Sequence, residues 1–462
     1  MRKKMKKQQL IASAAMALAL GLTNTAYAEG LRDALSSAYS TNPDLEAQRA
    51  GLRATDEGVS RAFSGYLPRI QGTANINKFD SDSQTGNAPN RNSTGTGENY
   101  QLRYDQNIFA GFQTVNTRKQ AKTLVEAGRA QLQETEQQIL LNTVTTYMDV
   151  YRDTAVLELN QKNVTVLERQ LQASQDRFRV GEITRTDVAQ SEARLARSVS
   201  ARISAAANLA GSRAIYKKIV GDNPGSLEEP PMLPELPVNL DEANMIAVEE
   251  SPTLQLAKHN EVASRYSVKN SLGTMMPSID AYVSYSKQIT PLTDSFGIFN
   301  NTNTNKSFGA QLTVPLYQGG ARYSDIRRAK QVNSQRRLQI ISSERTVLAE
   351  ARRSWEQYKA SISSISSNES QVRANEIALE GVRQEAIVGS RTTLDVLDAE
   401  QELLDARVNL VRANRNYNVA GYTVLASLGR LNAVSLDLDV ELYDPDKNYK
   451  SVKTKFIGWG IK

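Results

Sequence analysis

Few side chains in this chain could form or break a covalent bond. His259 is the only histidine and there is no cysteine. That removes a His-based triad, a multi-His zinc site, a Cys nucleophile, thiolate metal ligands and disulfides. A lipid-anchored N-terminal cysteine is removed with them, and His259 reads as a surface residue on a helix. There is no phosphate-binding glycine loop and no metal-ligand spacing, so an enzyme has nothing to work with and no cofactor is expected. The groups that do fall into a pattern are Thr184 with Asp187 and Thr392 with Asp395, each pair three residues behind a glycine, Gly181 or Gly389. Their chemistry is noncovalent. Thr-x-x-Asp reads as a capping box opening a helix, with Asp in place of the usual Glu. Asp398 lies one turn beyond Asp395 on the same face, where capping does not explain it, and Arg391 precedes Asp395 by the four residues of an ion pair.

These turns occur twice because the chain is built twice. FRVGEITRTDVAQSEARL starts at Phe178 and AIVGSRTTLDVLDAEQEL at Ala386; Gly181 and Gly389 are 208 residues apart, as are Asp187 and Asp395. Asn42-Pro43-Asp44-Leu45 matches Ser251-Pro252-Thr253-Leu254, and Leu67-Pro68-Arg69-Ile70 matches Met276-Pro277-Ser278-Ile279. Phe109-Ala110-Gly111 matches Tyr317-Gln318-Gly319, and Gly221 matches Gly429. The expected organisation is a first repeat over 29–222, a linker over 223–238 marked by Pro224, Pro230, Pro231, Pro234 and Pro237, a second repeat over 239–433, and a tail over 434–462.

Each repeat must position its turn with long helices. No proline occurs between Pro89 and Pro224 or between Pro315 and Pro445, and good helix formers dominate there. Helices are expected from about Gly111 to Phe178, Thr186 to Ile219, Ala321 to Val388 and Thr392 to Leu428. The first would be roughly 100 Å long, with a seam of apolar residues at helical spacing for its neighbours. Such helices build a coiled coil or helical barrel, not a globule.

The other texture alternates with period two. Ile70, Gly72, Ala74 and Ile76 interleave with polar residues, as do Tyr100, Leu102, Tyr104 and Ile108. Ile279, Ala281, Val283 and Tyr285 do the same, followed by Phe308, Ala310, Leu312 and Val314. Each is a candidate strand of about ten residues in the pattern of a transmembrane β-strand. Polar loops are expected from Asp80 to Asn99 and from Thr290 to Lys306. Four strands cannot close a barrel, and lipid does not tolerate an open edge, so several chains would have to pool them.

The N-terminus carries Arg2, Lys3, Lys4, Lys6 and Lys7, then an apolar run from Leu10 to Leu22, then Ala26-Tyr27-Ala28. That is a secretory signal over residues 1–28. Its five cations account for most of the formal charge of +6, leaving about +1 (6 − 5), so the basicity belongs to export and no nucleic-acid face is expected. After the signal no apolar stretch approaches the ~20 residues of a membrane-spanning helix.

With these residues in view, the chain resembles the TolC family of Gram-negative outer-membrane channels, in its non-lipidated branch. The duplicated plan, the two strand hairpins, the Leu-Pro-x-Ile lead-in and the paired turns at Val180-Gly181 and Val388-Gly389 carry the likeness over about Leu31 to Leu431. The resemblance implies a mainly α fold with transmembrane β: a homotrimer whose twelve-stranded β-barrel continues into a long periplasmic α-helical barrel. It implies an export channel for drugs, small molecules or unfolded proteins, working with a periplasmic adaptor (membrane fusion) protein and an inner-membrane transporter of ABC or RND type. The turns would be periplasmic tips around the tunnel entrance. In the family's closed entrance an Arg and a Tyr of the second turn reach an Asp and a Thr of the first. Those roles carry over to Arg391, Asp187 and Thr186, while the Tyr position is Ala386. Two constriction aspartates match Asp395 and Asp398. The rival reading is a periplasmic coiled-coil adaptor or scaffold without a pore, which has no need of four apolar-faced strands.

Overall fold

In the computed structural model, residues 29–83, 86, 91–294 and 297–460 are described; the export signal expected over residues 1–28 lies outside them. The element order runs twice. The first pass is α1 (Leu31–Thr41), α2 (Pro43–Phe63), β1 (Arg69–Ser83), β2 (Arg91–Ala110), α3 (Gln113–Arg179) and α4 (Arg185–Val220). The second is α5 (Leu240–Glu250), α6 (Pro252–Gly273), β3 (Ser278–Asp294), β4 (Gly297–Thr313), α7 (Ala321–Ile387) and α8 (Thr393–Leu428), and α9 (Pro445–Val452) follows. α3 and α7 both have 67 residues, α4 and α8 both 36. All four lie within two residues of the spans expected at both ends, because proline-free, capped segments leave little room for error.

The chain packs as two compact units, and neither is a repeat. One takes residues 29–43, 136–243 and 351–442; the other takes 44–135, 244–350 and 443–460. Each unit draws on both copies, so the duplication in sequence is not a division in space.

In the first unit α1 buries Leu31, Leu35 and Ala38, and its polar side chains finish α4. Asn42 Nδ2 donates to Ile219 O at 2.9 Å, and the Ser37 and Thr41 hydroxyls donate to Val220 O. Carbonyls of a last helical turn have no partner within their own helix, and this arrangement supplies one. Tyr147 and Tyr216 are fully buried. Tyr147 donates to the carbonyls of Glu29 and Glu228, and Tyr216 donates to the Glu29 carboxylate. Burial pushes both phenols well above their ordinary range.

The second unit holds a four-stranded antiparallel sheet in the order β1-β2-β3-β4. The strands have 15, 20, 17 and 17 residues, not about ten. Most of the two expected polar loops is strand: pairing runs out to Ser83↔Arg91 and to Asp294↔Gly297. Ser, Thr and Asn mark no apolar face there, but ladder pairing needs only backbone N–H and C=O groups.

The register gathers the alternating residues into one face. Ile70 pairs with Tyr104, Tyr104 with Val283, and Val283 with Phe308. The next row is Gly72, Leu102, Tyr285 and Lys306. Ile70, Leu102, Val283 and Phe308 are all exposed, Phe308 by 86 %. A bulge between Asn107 and Phe109 lets Phe109 pair with Ile279 on the apolar face after Gln106 interrupts it. The opposite face is polar and internally bonded. Arg103 bonds to Asp105 at 2.9 Å, Asn107 donates to Asp280 at 2.7 Å, and the Ser284 and Ser307 hydroxyls meet at 2.7 Å. β1 and β4 are the free edges.

Candidate functional site

Both helical hairpins turn in the same way. Glu182 N donates to Arg177 O and Gly181 N to Phe178 O; in the second, Ser390 N donates to Glu385 O and Gly389 N to Ala386 O. This is the Schellman closure, and its pivotal residue is left-handed. Gly181 has φ 80° and Gly389 φ 81°. A Cβ at either would meet nothing within 4 Å, so backbone conformation, not space, calls for glycine.

The next helix opens three residues later with a capping box. Asp187 Oδ2 accepts from Thr184 N and Oγ1, both at 2.8 Å. Asp395 Oδ2 accepts from Thr392 N at 2.9 Å and Oγ1 at 2.7 Å. Aspartate closes the box as the usual glutamate would. The Thr392 hydroxyl and backbone N–H, aided by the charge of Arg391, hold the Asp395 carboxyl below the usual carboxylate range.

Arg391 does not pair with Asp395. Its Nε donates to Glu385 Oε2 at 2.7 Å. Arg391 lies in the turn, ahead of the N-cap Thr392, so the helical i,i+4 geometry does not apply to it. Asp398 is also engaged. Arg194, on α4, donates to its carboxylate and so bridges the two hairpins of one protomer. Arg383 and the buried Glu400 pair at 3.0 Å across the second hairpin. In the first hairpin, Ser174 and Ser191 join by their hydroxyls at 3.1 Å. Glu385, Arg194, Arg383 and Glu400 are site residues that sequence reasoning missed.

The two tips line a common cleft of about 880 Å³. Asp187, Gly389 and Arg391 lie on its wall, with Arg177, Arg383 and Glu400; Thr186, Gly181, Asp395 and Asp398 do not. Among the described residues no carboxylate or histidine cluster could hold a metal ion, and no helix is long and apolar enough to cross a membrane. The sheet is the element with an exposed apolar face of membrane type.

A family model described as outer membrane efflux protein matches the chain over residues 34–221 and again over 246–430. The chain belongs to the outer membrane efflux protein family. The outer membrane efflux protein BepC of Brucella suis is 34 % identical over 452 residues, covering 98 % of this chain and 96 % of BepC. The outer membrane protein TolC of Escherichia coli is 25 % identical, covering 90 % of this chain and 85 % of TolC. The Campylobacter jejuni CmeC outer membrane channel shares the fold with a TM-score of 0.77 at 17 % identity, covering 92 % of this chain and 89 % of that one. As a member of the outer membrane efflux protein family, the chain is an outer-membrane channel protein that extends into the periplasm. Its sheet presents an exposed apolar face of Ile70, Leu102, Val283 and Phe308 and an opposite polar face of Arg103, Asp105, Asp280 and Ser284.

Proposed function

We propose that three copies of this chain, freed of residues 1–28, form the exit duct of a tripartite export system. Its cargo is drugs, other small molecules or unfolded protein, handed over by an inner-membrane transporter through a periplasmic adaptor. The observation that carries the reading is the open four-stranded sheet with one largely apolar, exposed face. Its free edges, β1 and β4, are untenable in lipid unless another copy covers them. Exposed Leu338, Ile341, Ile362 and Ile377 along α7 point the same way, since a helix face of that kind normally packs against a neighbour. The expected result is a trimer in mild detergent by light scattering. A monodisperse monomer with an intact β signal would sink the channel reading.

The tips serve as the gate. Arg391 of the second turn reaches Asp187 or Thr186 of a neighbouring hairpin when the duct is shut, and Asp395 and Asp398 form carboxylate rings at its narrowest point. The local pair of Arg391 with Glu385 is exposed at both partners, 50 % and 51 %. Exposed pairs are screened by water and contribute little, so Arg391 can exchange Glu385 for a partner across the gate at little cost. Ala386 at the family's Tyr position leaves one tie fewer. Arg391→Ser should raise single-channel conductance in planar bilayers and sensitise cells to large antibiotics. Conductance equal to wild type would leave Arg391 only its local pair.

A further inference from the structure

One exposed apolar segment is left without a role by the duct and its gate. Ile457 is 93 % exposed and Trp459 103 % exposed, with the half-exposed Phe456 beside them. They do not sit on a loose strand of chain. α9 is docked by Asn448, whose Nδ2 donates to the buried Asp56 at 2.7 Å, by Arg129 bonding to Asp446, and by the buried Val452. Beyond it, Ser60 Oγ donates to Lys455 O at 2.8 Å and Lys455 Nζ donates to Gly460 O at 2.6 Å. The Phe456 ring stacks on Phe63 with centroids 5.1 Å apart. A segment tied at this many points still turns two large apolar side chains outward.

Its position matters. Phe63 ends α2 and lies 5.5 Å from Tyr66, whose carbonyl accepts from Gln106 of β2 at 3.0 Å. Phe456 therefore rests on the foot of the β1–β2 pair, and Trp459, three residues on, lies at most about 10 Å further along the chain. The other strand feet also carry exposed apolar residues: Phe112 after β2, Met276 before β3, Leu316 and Tyr317 after β4. Phe112 adopts a left-handed φ of 63° where the second copy has Gly320, so an aromatic ring is kept there against its conformational preference.

We propose that Phe456, Ile457 and Trp459 form a noncovalent anchor in the periplasm-facing phospholipid surface of the outer membrane, completing an apolar collar around the feet of the strands. This rests on the reading that the sheet spans that membrane. Lipid is the favoured occupant because the segment continues the sheet's lipid face at the end where strands give way to helices. Indole and phenol rings favour that boundary, where one end stays wet and the other dry. Lys453 and Lys455 precede the segment with cations suited to phosphate headgroups. The chain has no cysteine for an acyl anchor, and a docked aromatic segment is a physical alternative to one.

The chain's two tryptophans are Trp355 and Trp459, and Trp355 is buried. Trp355→Phe thus isolates the probe in the full-length protein, reconstituted in phosphatidylethanolamine–phosphatidylglycerol vesicles. The expected result is at least about twofold quenching of Trp459 by lipids brominated high on the acyl chain, less by lipids brominated deep, and little by aqueous iodide. If Trp355→Phe fails to fold, the difference between wild-type and Trp459→Phe spectra gives the same readout. Quenching by iodide alone would place Trp459 in water and overturn the proposal. Protection from both quenchers would place it under a second copy or another protein, and overturn it equally. Phe308→Trp in a background of Trp355→Phe and Trp459→Phe is the reference. If it is quenched by bromolipid and Trp459 is not, only the anchor fails; if it is not quenched, the membrane placement of the sheet fails.

Discussion

Trivalent metal ions added on the periplasmic side should block the wild-type channel in planar bilayers, and Asp395→Ala with Asp398→Ala should abolish that block. Charge density at the tips sets this block. In the proposed trimer, three copies stack two rings of three carboxylates in a narrow mouth, where like charges held close together repel. Carboxylate rings of this kind select cations, and a multivalent ion relieves the repulsion best. In the protomer each aspartate already has a partner, which makes the test sharper. Arg194 neutralises Asp398, so Arg194→Ala should strengthen the block. Thr392 caps with Asp395, so Thr392→Ala breaks the cap, at a cost of about 1 kcal/mol, yet should leave the block in place. The pH dependence has a definite sign. Asp395 is held below its ordinary value by Thr392, so its charge, and with it both cap and block, is present above the usual carboxylate range and lost only as pH falls through the lower folded value. If the double variant is blocked as well as wild type, the rings are not at the mouth and Asp395 is only a cap.

Much of this protein was legible before any coordinate. The 208-residue offset, the proline-free spans and the Thr-x-x-Asp caps located four helices and two tips because each is a local signal with a local cause. The sheet was legible only where one face is apolar. Beyond Asp80 both faces are polar, and beyond Thr290 the few apolar residues, Leu292, Ile298 and Phe299, sustain no period of two, so strand reads as loop although the backbone ladder continues. The bulge at Ile108 was hidden for a similar reason: Gln106 breaks the alternation, and only the partner strand shows how Phe109 restores it.

The missed tip residues obey a rule that needs the turn to be fixed first. In an antiparallel helical hairpin, partners are mirror images about the turn and recur by heptads. Arg383 pairs with Glu400 and Glu376 with Arg407; each partner is displaced by the same seven positions. Ser174 meets Ser191 and Asp153 meets Ser212 in the first hairpin, displaced by twenty-one, three heptads. Reflection about the Gly389 turn would have exposed Arg383 and Glu400. Arg194 with Asp398 is different, because it joins the two hairpins, and nothing in sequence separation indicates it.

Gly111→Ala should abolish folding of the channel to a heat-resistant trimer, whereas Gly319→Ala, at the matching position of the second copy, should be tolerated. Both glycines are left-handed, at φ 57° and 59°, so alanine at either meets the strain of an L-residue in that region, roughly 1–2 kcal/mol. Their surroundings differ. A Cβ on Gly319 meets nothing within 4 Å, but on Gly111 it would lie 2.3 Å from the carbonyl oxygen of Gly273 and 2.8 Å from Met276 Cβ. A Cβ on Gly273 would in turn lie 2.4 Å from Gly111 O. The obstacle is backbone, not a side chain that can swing away, so relief requires parting the feet of β2 and β3. These are the strands that join the two copies into one sheet, and separating them would leave two hairpins with four free edges in place of two. Overpacking against fixed atoms belongs among the few mechanisms that cost upwards of about 4 kcal/mol. Membrane yield and the temperature at which the trimer band dissociates on gels measure both variants side by side. If Gly111→Ala assembles and dissociates like Gly319→Ala, the close backbone approach at the foot of the sheet is not a feature of the assembled channel.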